Sequence, residues 1–522
     1  MPSRTSPRSR VQEPAADEAV ERDYRKLLAF LDLSSGFTLA IARCNLPSLR
    51  REIVERARKD AGRSGVVVKI VDFAGDAPED FVPGVRRGLD DAPSNGRLAA
   101  MVTGLDGLIY KSASPEELRG DGRPPFVARL NFDRERIAQE LRFPIVLWLE
   151  SESTKLLLTQ APDLMQWVSA HFDFGGPAVT EKAFSTLVES YPALDRQGGT
   201  ETRAQLGELS GLLQELDETQ GAQDAAGLRK RLAVLNALAE RCYRLGDSQQ
   251  AKAYWAEAWK IATKLKDRRE EAAALGNLGI AYNRLGETRR AIECHEQALA
   301  IMREIGDRRG EGTALGNLGI AYNRLGETRR AIEYHEQALA IARELGNRRG
   351  EGNALGNLSN AYYRLGETRR AIEYYEQALA IDRELGNRRG EGHDLGNLGN
   401  AYDALGETRR AIEYYEQALA IARELGDRRG EGTSLNNLGL AYAALNETRR
   451  AIEYYEQALA IAREIGNRQG EGNALWNMSL ALDTLGQHPK AIELAEAALK
   501  VYEQIEDPGA STVRSQLEQW RR

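Results

Sequence analysis

The twenty-residue stretch ALGNLGIAYNRLGETRRAIE occurs at residues 274–293 and again, unchanged, at residues 314–333. The offset between the two copies is 40 residues, and related copies begin at residues 351, 391, 431 and 471. A more divergent copy occupies residues 231–270. A fixed period of this length is typical of solenoid proteins, in which each repeat is stable only against its neighbours. The sequence therefore predicts seven stacked units over residues 231–510 and a short capping helix at 511–522.

Each unit is predicted to form two antiparallel helices. In the unit that begins at residue 351, Leu355, Leu358 and Tyr362 recur at helical spacing, and Gly366 is a suitable residue to end the first helix. The second helix, TRRAIEYYEQALAIDREL, carries its own apolar stripe, and Asn387 after it is a good N-cap for the next unit. We assign the balanced acidic and basic residues of the unit to a solvated outer face.

This pattern resembles the tetratricopeptide repeat (TPR) family. The family's small residue and Tyr in the first helix, and its Ala, aromatic and Ala in the second, are matched by Ser359, Tyr362, Ala371, Tyr375 and Ala378. The usual family unit has about 34 residues and ends with a proline, where this chain has Arg383, so we expect a longer second helix. The 40-residue unit is similar to the cell-polarity adaptors of the Pins/LGN type, and this implies an all-α solenoid that binds peptides of partner proteins.

In TPR arrays the first helix of each unit lines the concave groove, with unit positions 10, 13 and 14 pointing into it. Position 14 is arginine in the first four units and Ala404, Ala444 and Thr484 in the last three. Because a guanidinium fork suits carboxylates, the first half of the groove is expected to bind an acidic partner segment, and the second half is more apolar. The alternatives are a solvated arginine column without a ligand, and drift among duplicated units. The candidate groove residues at these positions are Arg244, Arg284, Arg324, Arg364, Asn283, Asn323, Tyr363, Asn360 and Asn400.

Position 7 of the repeated units is asparagine, including Asn317, Asn357 and Asn397. The resemblance implies that this side chain either contacts the main chain of the ligand or forms a hydrogen bond between helices. Both roles stay open at the level of sequence.

Residues 20–178 have a different sequence pattern, which predicts an α/β domain. Apolar β-prone runs at 36–42, 65–73, 97–106 and 143–149 alternate with helical stretches, the last of them at Ala161–Ala170. Such alternation predicts a parallel sheet covered on both faces. The region resembles the nucleotide-binding core of signal-transduction ATPases of the STAND type. The resemblance implies a Walker-B-like place for Asp106; the alternative is an ordinary turn residue at the end of a strand.

The loop after the first strand departs from that resemblance. A P-loop would read GxxxxGK[ST] here, whereas the chain has Ala42-Arg43-Cys44-Asn45-Leu46-Pro47-Ser48. The glycines that allow a phosphate cradle and the hydroxyl that would hold Mg²⁺ are missing from this loop. We therefore predict a degenerate P-loop-like domain that is not an enzyme, has no cofactor and serves in docking or oligomerisation. Residues 1–19 are predicted to be a disordered tail, and 179–230 a linker with one amphipathic helix.

Composition excludes several function classes. The formal charge of the 522 residues is −7, which disfavours a nucleic-acid binder, and no apolar run is long enough to cross a membrane. The three cysteines lie far apart with no CxxC, as expected for a reducing, cytoplasmic location.

The preferred function is a protein-binding adaptor or scaffold in bacterial signalling or defence. The alternatives are a regulatory nucleotide-binding switch without efficient hydrolysis, and a self-associating scaffold that forms homo-oligomers.

Overall fold

The computed structural model describes residues 16–73, 80–89, 97–112, 124–175, 177–189, 199–218 and 223–521. The chain forms two compact units, Met1–Ala274 and Leu275–Arg522. Of the predicted tail, residues 1–15 lie outside the described residues, and a helix already begins at Ala16. Within the described ranges, every helix is too short or too polar to span a bilayer.

The first unit is built on a five-stranded parallel sheet, which confirms the predicted fold class. Its strands lie in the order β2-β3-β4-β1-β5. Their bounds are β1 Thr38–Arg43, β2 Val66–Asp72, β3 Arg97–Thr103, β4 Pro144–Leu149 and β5 Val168–Asp173. The helix predicted at Ala161–Ala170 is wrong beyond its first turn. Only Pro162–Met165 is helical there, because the free edge of β1 offers a hydrogen-bonding partner from Val168 onward, and tertiary pairing overrides local helix propensity.

Helices cover both faces of the sheet. Leu39 and Ile41 of β1 face one core, and Ala40 and Ala42 face the other, as the two-residue period of a strand requires. The core with Ala40 contains α1 (Ala16–Leu33) and α2 (Pro47–Arg63). The opposite core contains α3 Phe81–Arg87, α4 Leu105–Ser112, α5 Pro125–Phe132, α6 Arg134–Glu140, α7 Ser151–Gln160 and α8 Pro162–Met165.

The segment between the sheet and the repeats is also packed. It holds α9 (Pro177–Phe184), a π-helical turn (Ser185–Glu189) and α10 (Gly199–Glu218). Leu209 and Leu212 of α10 are fully buried in a core that includes Leu46 and Leu238. The predicted amphipathic helix is thus present in α10, and its apolar face packs against both the sheet domain and the first repeat.

The remaining chain is an unbroken series of helix pairs, designated helices A and B of repeats 1–7. Their bounds are Ala225–Arg244 and Ser248–Leu265, Arg268–Arg284 and Thr288–Glu304, Arg308–Arg324 and Thr328–Glu344, Arg348–Arg364 and Thr368–Glu384, Arg388–Ala404 and Thr408–Leu425, Arg428–Ala444 and Thr448–Glu464, and Arg468–Thr484 and His488–Gln504. A last helix spans Gly509–Trp520. The helical-repeat half of the predicted fold class is confirmed.

Local signals fix the ends of these helices as the sequence predicts. Gly366 has a φ of +79°, and Asn387 accepts a hydrogen bond from the main-chain nitrogen of Gly390 at 3.2 Å. Asn446 adopts the same left-handed conformation at the corresponding turn of repeat 6. Within each hairpin the helices approach closely; for example, a methyl group added at Gly319 would collide with the ring of His335.

From the sequence, the charged residues of the repeats are expected on a solvated outer face. The structure corrects this, because some of them are buried. Glu391 is 7% exposed and accepts hydrogen bonds from Arg383 at 2.8 Å and Arg388 at 2.5 Å. Arg388 also pairs with Glu424 of helix B in the same repeat. The same bridge recurs at the equivalent glutamates, Glu311, Glu351, Glu431 and Glu471. An ordered Arg–Glu–Arg network therefore joins helix B of one repeat to helix A of the next.

Candidate functional site

The candidate groove residues lie on helix A of successive repeats. Arg244, Arg284, Arg324 and Arg364 are all exposed at position 14. Arg324 donates to the main-chain oxygen of Asn283 at 2.6 Å, and Arg364 donates to that of Asn323 at 3.2 Å. These two carbonyl groups, at the end of the preceding helix A, already accept from the main-chain nitrogens of Gly286 and Gly326, so each arginine adds a second donor. Arg244 pairs within its own helix with Glu240, at 2.7 Å.

The position-13 side chains are more buried than expected for residues that point into an open groove. Asn283 is 8% exposed, and its Oδ1 has no hydrogen-bond partner in the described part of the chain. The Oδ1 of Asn323 is in the same state. Tyr363 is half-buried, and its hydroxyl lies 3.5 Å from the main-chain oxygen of Asn400, at the limit of a hydrogen bond.

Position 10 changes chemistry along the array. The Oδ1 of Asn360 accepts from the hydroxyl of Tyr375 at 2.6 Å, and that of Asn400 accepts from Tyr415 at 2.8 Å. Repeats 2, 3, 6 and 7 carry aliphatic residues there. Three of these side chains are about 40% exposed, namely Ile320, Leu440 and Leu480. The amide oxygens of position 10 are thus used inside the hairpins, while aliphatic surface is offered elsewhere along the same row.

The position-7 asparagines divide into two groups. Asn437 donates to Asn400 Oδ1 at 3.3 Å, and Asn477 donates to Asn436 Oδ1 at 3.0 Å, so these two connect neighbouring repeats. The side chains of Asn317, Asn357 and Asn397 are half-buried and form no hydrogen bond with other described residues. Their amides are available to a ligand.

Sequence reasoning missed the residue next to these asparagines. Gly316, Gly356 and Gly396 stand in the interior of helix A, and a methyl group added at any of them would have no neighbour within 4 Å. A helix-interior glycine costs about 1 kcal/mol relative to alanine. The signal was present, because the same glycine recurs at position 6 in several repeats. Only the structure reveals that packing does not require it.

Two equivalent cavities of about 300 Å³ follow one another in the second half of the array. The first has Arg389 and Asn397 at its polar side and Ile421 on helix B. The second has Arg429 and Ile461 one repeat further on. Each therefore combines a guanidinium and an amide with an aliphatic wall.

The Walker-B-like Asp106 is already engaged. Its Oδ1 accepts from the main-chain nitrogen of Glu150 at 2.9 Å, and its Oδ2 lies 3.4 Å from Nη1 of Arg50. Cys44 in the loop after β1 is fully buried, and burial raises the pKa of its thiol to about 12. It is therefore not a reactive thiolate.

A family model described as tetratricopeptide repeat matches residues 230–304, 310–384, 352–424, 395–464 and 431–504. Together these matches cover more than half of the 522 residues. No curated protein sequence is significantly similar to this chain.

Three solved structures illustrate the structural similarity. BtubC from P. vanneervenii is 22% identical over 47% of this chain and 92% of its own, with a TM-score of 0.37. The quorum sensor NprR from B. thuringiensis is 14% identical over 67% and 94%, with a TM-score of 0.48. A signal-transduction ATPase with numerous domains and a TPR sensor, from Pyrococcus horikoshii, is 13% identical over 95% and 91%, with a TM-score of 0.46.

Proposed function

Because the chain belongs to the tetratricopeptide repeat family, we propose that it is a protein-interaction adaptor whose helix A surface binds an extended segment of a partner protein. The partner segment is acidic where it meets the arginines of the first repeats and apolar where it meets the later ones. The protein acts in the bacterial cytoplasm, in signalling or defence, and carries out no chemistry of its own.

The observation that carries this proposal is the row of unpacked glycines beside free amides. Gly316, Gly356 and Gly396 weaken their helices without filling a tight contact. Glycine is the residue that lets another main chain approach closely. Beside them, the amides of Asn317, Asn357 and Asn397 can donate to and accept from the peptide groups of an extended chain. A surface without side chains at the glycines, flanked by these amides, supports recognition of the main chain of a ligand.

The charges along the groove support the acidic character of the ligand. The exposed parts of Arg324 and Arg364 remain accessible although one nitrogen of each is used by the preceding helix. Later repeats offer exposed Leu440 and Leu480 and the two cavities with aliphatic walls. A segment with carboxylates at one end and apolar side chains at the other fits this sequence of surfaces.

The experiment is selection of binders from a random peptide display library on the full chain, followed by affinity measurement with one selected synthetic peptide. We expect enrichment of acidic peptides and a loss of affinity of about tenfold or more in the triple variant R284A/R324A/R364A. The variant G316A/G356A/G396A is expected to fold more stably and to bind more weakly. Unchanged affinity in both variants, or selection of basic peptides, would contradict the proposal.

A further inference from the structure

The order of strands marks one crevice on the parallel sheet. β1 leads through α2 to β2, past β4 and β3, whereas β4 leads through α7 and α8 to β5, past β1. In open α/β sheets, ligands bind outside the carboxyl ends of the strands where such connections diverge. In this chain that place lies beyond Arg43 at the end of β1 and Leu149 at the end of β4.

Two carboxylates of α10 occupy this place. Glu218 Oε2 accepts from Nη1 of Arg43 at 2.6 Å and from the hydroxyl of Ser151 at 2.8 Å. The side chain of Glu215 is 2% exposed; its Oε1 accepts from Nδ2 of Asn45 at 2.9 Å and lies 3.6 Å from Nη1 of Arg43. A single helix thus brings two negative charges to the loop that follows β1.

The polar side chains of that loop are engaged. Asn45 is 1% exposed, and its Oδ1 accepts from the main-chain nitrogen of Ser151 at 2.7 Å. Ser48, one residue inside α2, donates its hydroxyl to Glu208 of α10 at 2.8 Å. Arg43 also binds Asp173 at the end of β5, at 2.6 Å. The side chains of the loop that could have contacted an anion therefore already bind carboxylates or the main chain of Ser151 at the start of α7.

Steric fit adds to the electrostatic fit. A methyl group at Gly211 would collide with the main-chain oxygen of Asn45, so the glycine allows α10 to lie directly on the loop. The apolar side of α10 buries Leu209 and Leu212 around Leu46, in a core shared with Val234 and Leu238 of repeat 1. The helix is held on one side by charge and on the other by apolar packing.

We propose that α10 is the resident occupant of this crevice, and that Glu215 and Glu218 fill the place where a sheet of this topology would hold an anionic ligand. The ligand class of the site is a pair of carboxylates on a helix of the same chain. The crevice has become a clamp that fixes repeat 1 to the sheet domain, and it excludes nucleotide. This inference is independent of the proposed peptide groove.

The first test uses the full chain with MgATP as the probe. Calorimetry is expected to find no saturable binding at millimolar MgATP, and amide hydrogen exchange of residues 199–218 is expected to be unchanged by it. Saturable binding, or deprotection of α10 in the presence of MgATP, would overturn the proposal.

The second test compares two substitutions on α10. G211A meets the main chain of the loop, whereas a methyl group at Gly207 would lie 3.8 Å from Cγ of Pro47, in ordinary contact. We expect amide exchange in α10 to accelerate by about tenfold or more in G211A and in E215Q/E218Q. In G207A we expect exchange to be unchanged or slower, because the methyl group makes only an ordinary contact and alanine raises helix propensity. Protection of β1 in all variants reports that the sheet is intact. Equal exchange in G211A and G207A, or unaltered exchange in E215Q/E218Q, would refute the clamp.

Discussion

Asp394 of repeat 5 is buried next to Asp382 of repeat 4, at the junction between the two repeats. The carboxylate of Asp382 lies against Gly390, one helical turn before Asp394 on the same side of helix A. Asp394 is 7% exposed, and its Oδ2 has no hydrogen-bond partner among the described residues. Burial first, and then the negative charge of Asp382, raise the pKa of Asp394 to about 7. Both positions are alanine at the junction of repeats 3 and 4, where Ala342 and Ala354 stand.

The first prediction concerns this carboxylate. A group whose pKa is raised on folding stabilises the folded state below its unfolded pKa, and this contribution is lost as pH rises through the folded pKa. The wild-type junction should therefore weaken between pH 5 and pH 8, by roughly 2–4 kcal/mol in the free energy of unfolding. D394A should be more stable than wild type at pH 8, measured by chemical denaturation, and the difference should shrink toward pH 5.

The control for this prediction is D382A, which removes the neighbouring charge but keeps Asp394. It should recover part of the stability at pH 8. A pH-independent difference between D394A and wild type would contradict the account.

The second prediction concerns the buried histidines of repeats 2 and 3. His335 is fully buried, neither ring nitrogen has a hydrogen-bond partner among the described residues, and burial lowers its pKa to about 4. Between the unfolded pKa and this value the unfolded chain binds a proton that the folded chain does not. Stability therefore falls as pH decreases, by about 2 kcal/mol per histidine at pH 5.

The matched variant is H335Y/I320N, which copies the Tyr375–Asn360 hydrogen bond of repeat 4. Hydrogen exchange in repeat 3 should depend less on pH between 7 and 5 in this variant than in wild type. His295 in repeat 2 is untouched and serves as the internal reference. Identical pH profiles of repeat 3 in both proteins would show that burial of His335 has no energetic consequence.

The repeat architecture could be predicted from the sequence because its determinants are local. Helical spacing, Gly366 at a turn and Asn387 at an N-cap lie within one repeat, and each is found in its expected role. Strands β1 to β4 could also be predicted from the sequence, as apolar runs. Strand β5 could not, because its conformation depends on pairing with the edge of β1 rather than on its own residues.

The site depended on long-range relations that no local pattern encodes. Arg43 meets Glu218 only because α10 returns to the sheet 175 positions later in the chain. Arg324 was correctly placed at the end of helix A, but its hydrogen bond to the preceding repeat follows from the stacking distance. The burial of Glu391 is likewise a property of the interface between repeats.

The third prediction concerns the Arg–Glu–Arg bridge at Glu391. Burial raises the pKa of this carboxyl, but hydrogen bonds from Arg383 and Arg388 outweigh it and hold the pKa below its ordinary value. E391Q keeps the shape and loses the charge, so we expect a loss of about 1–2 kcal/mol at neutral pH. The carboxylate's contribution is lost as pH falls through its lowered folded pKa, so wild type and variant should converge in acid.

The control for the bridge is E424Q. Glu424 also pairs with Arg388, but it is exposed, and exposed ion pairs contribute little. Thermal unfolding should barely change in E424Q. A larger effect in E424Q than in E391Q would place the stabilising charge on the surface rather than at the junction.

The last prediction compares two glycines on one helix. G316A and G319A make the same substitution in helix A of repeat 3, three residues apart, so both gain the same helix propensity of about 1 kcal/mol. The new methyl group at 316 meets open space, whereas at 319 it collides with the ring of His335. We therefore expect G316A to raise the unfolding midpoint and G319A to lower it, since a well-packed interior tolerates added volume poorly. If G316A also lowered the unfolding midpoint, Gly316 would be required by the fold itself. The argument that glycine is retained there to let a ligand approach would then fail.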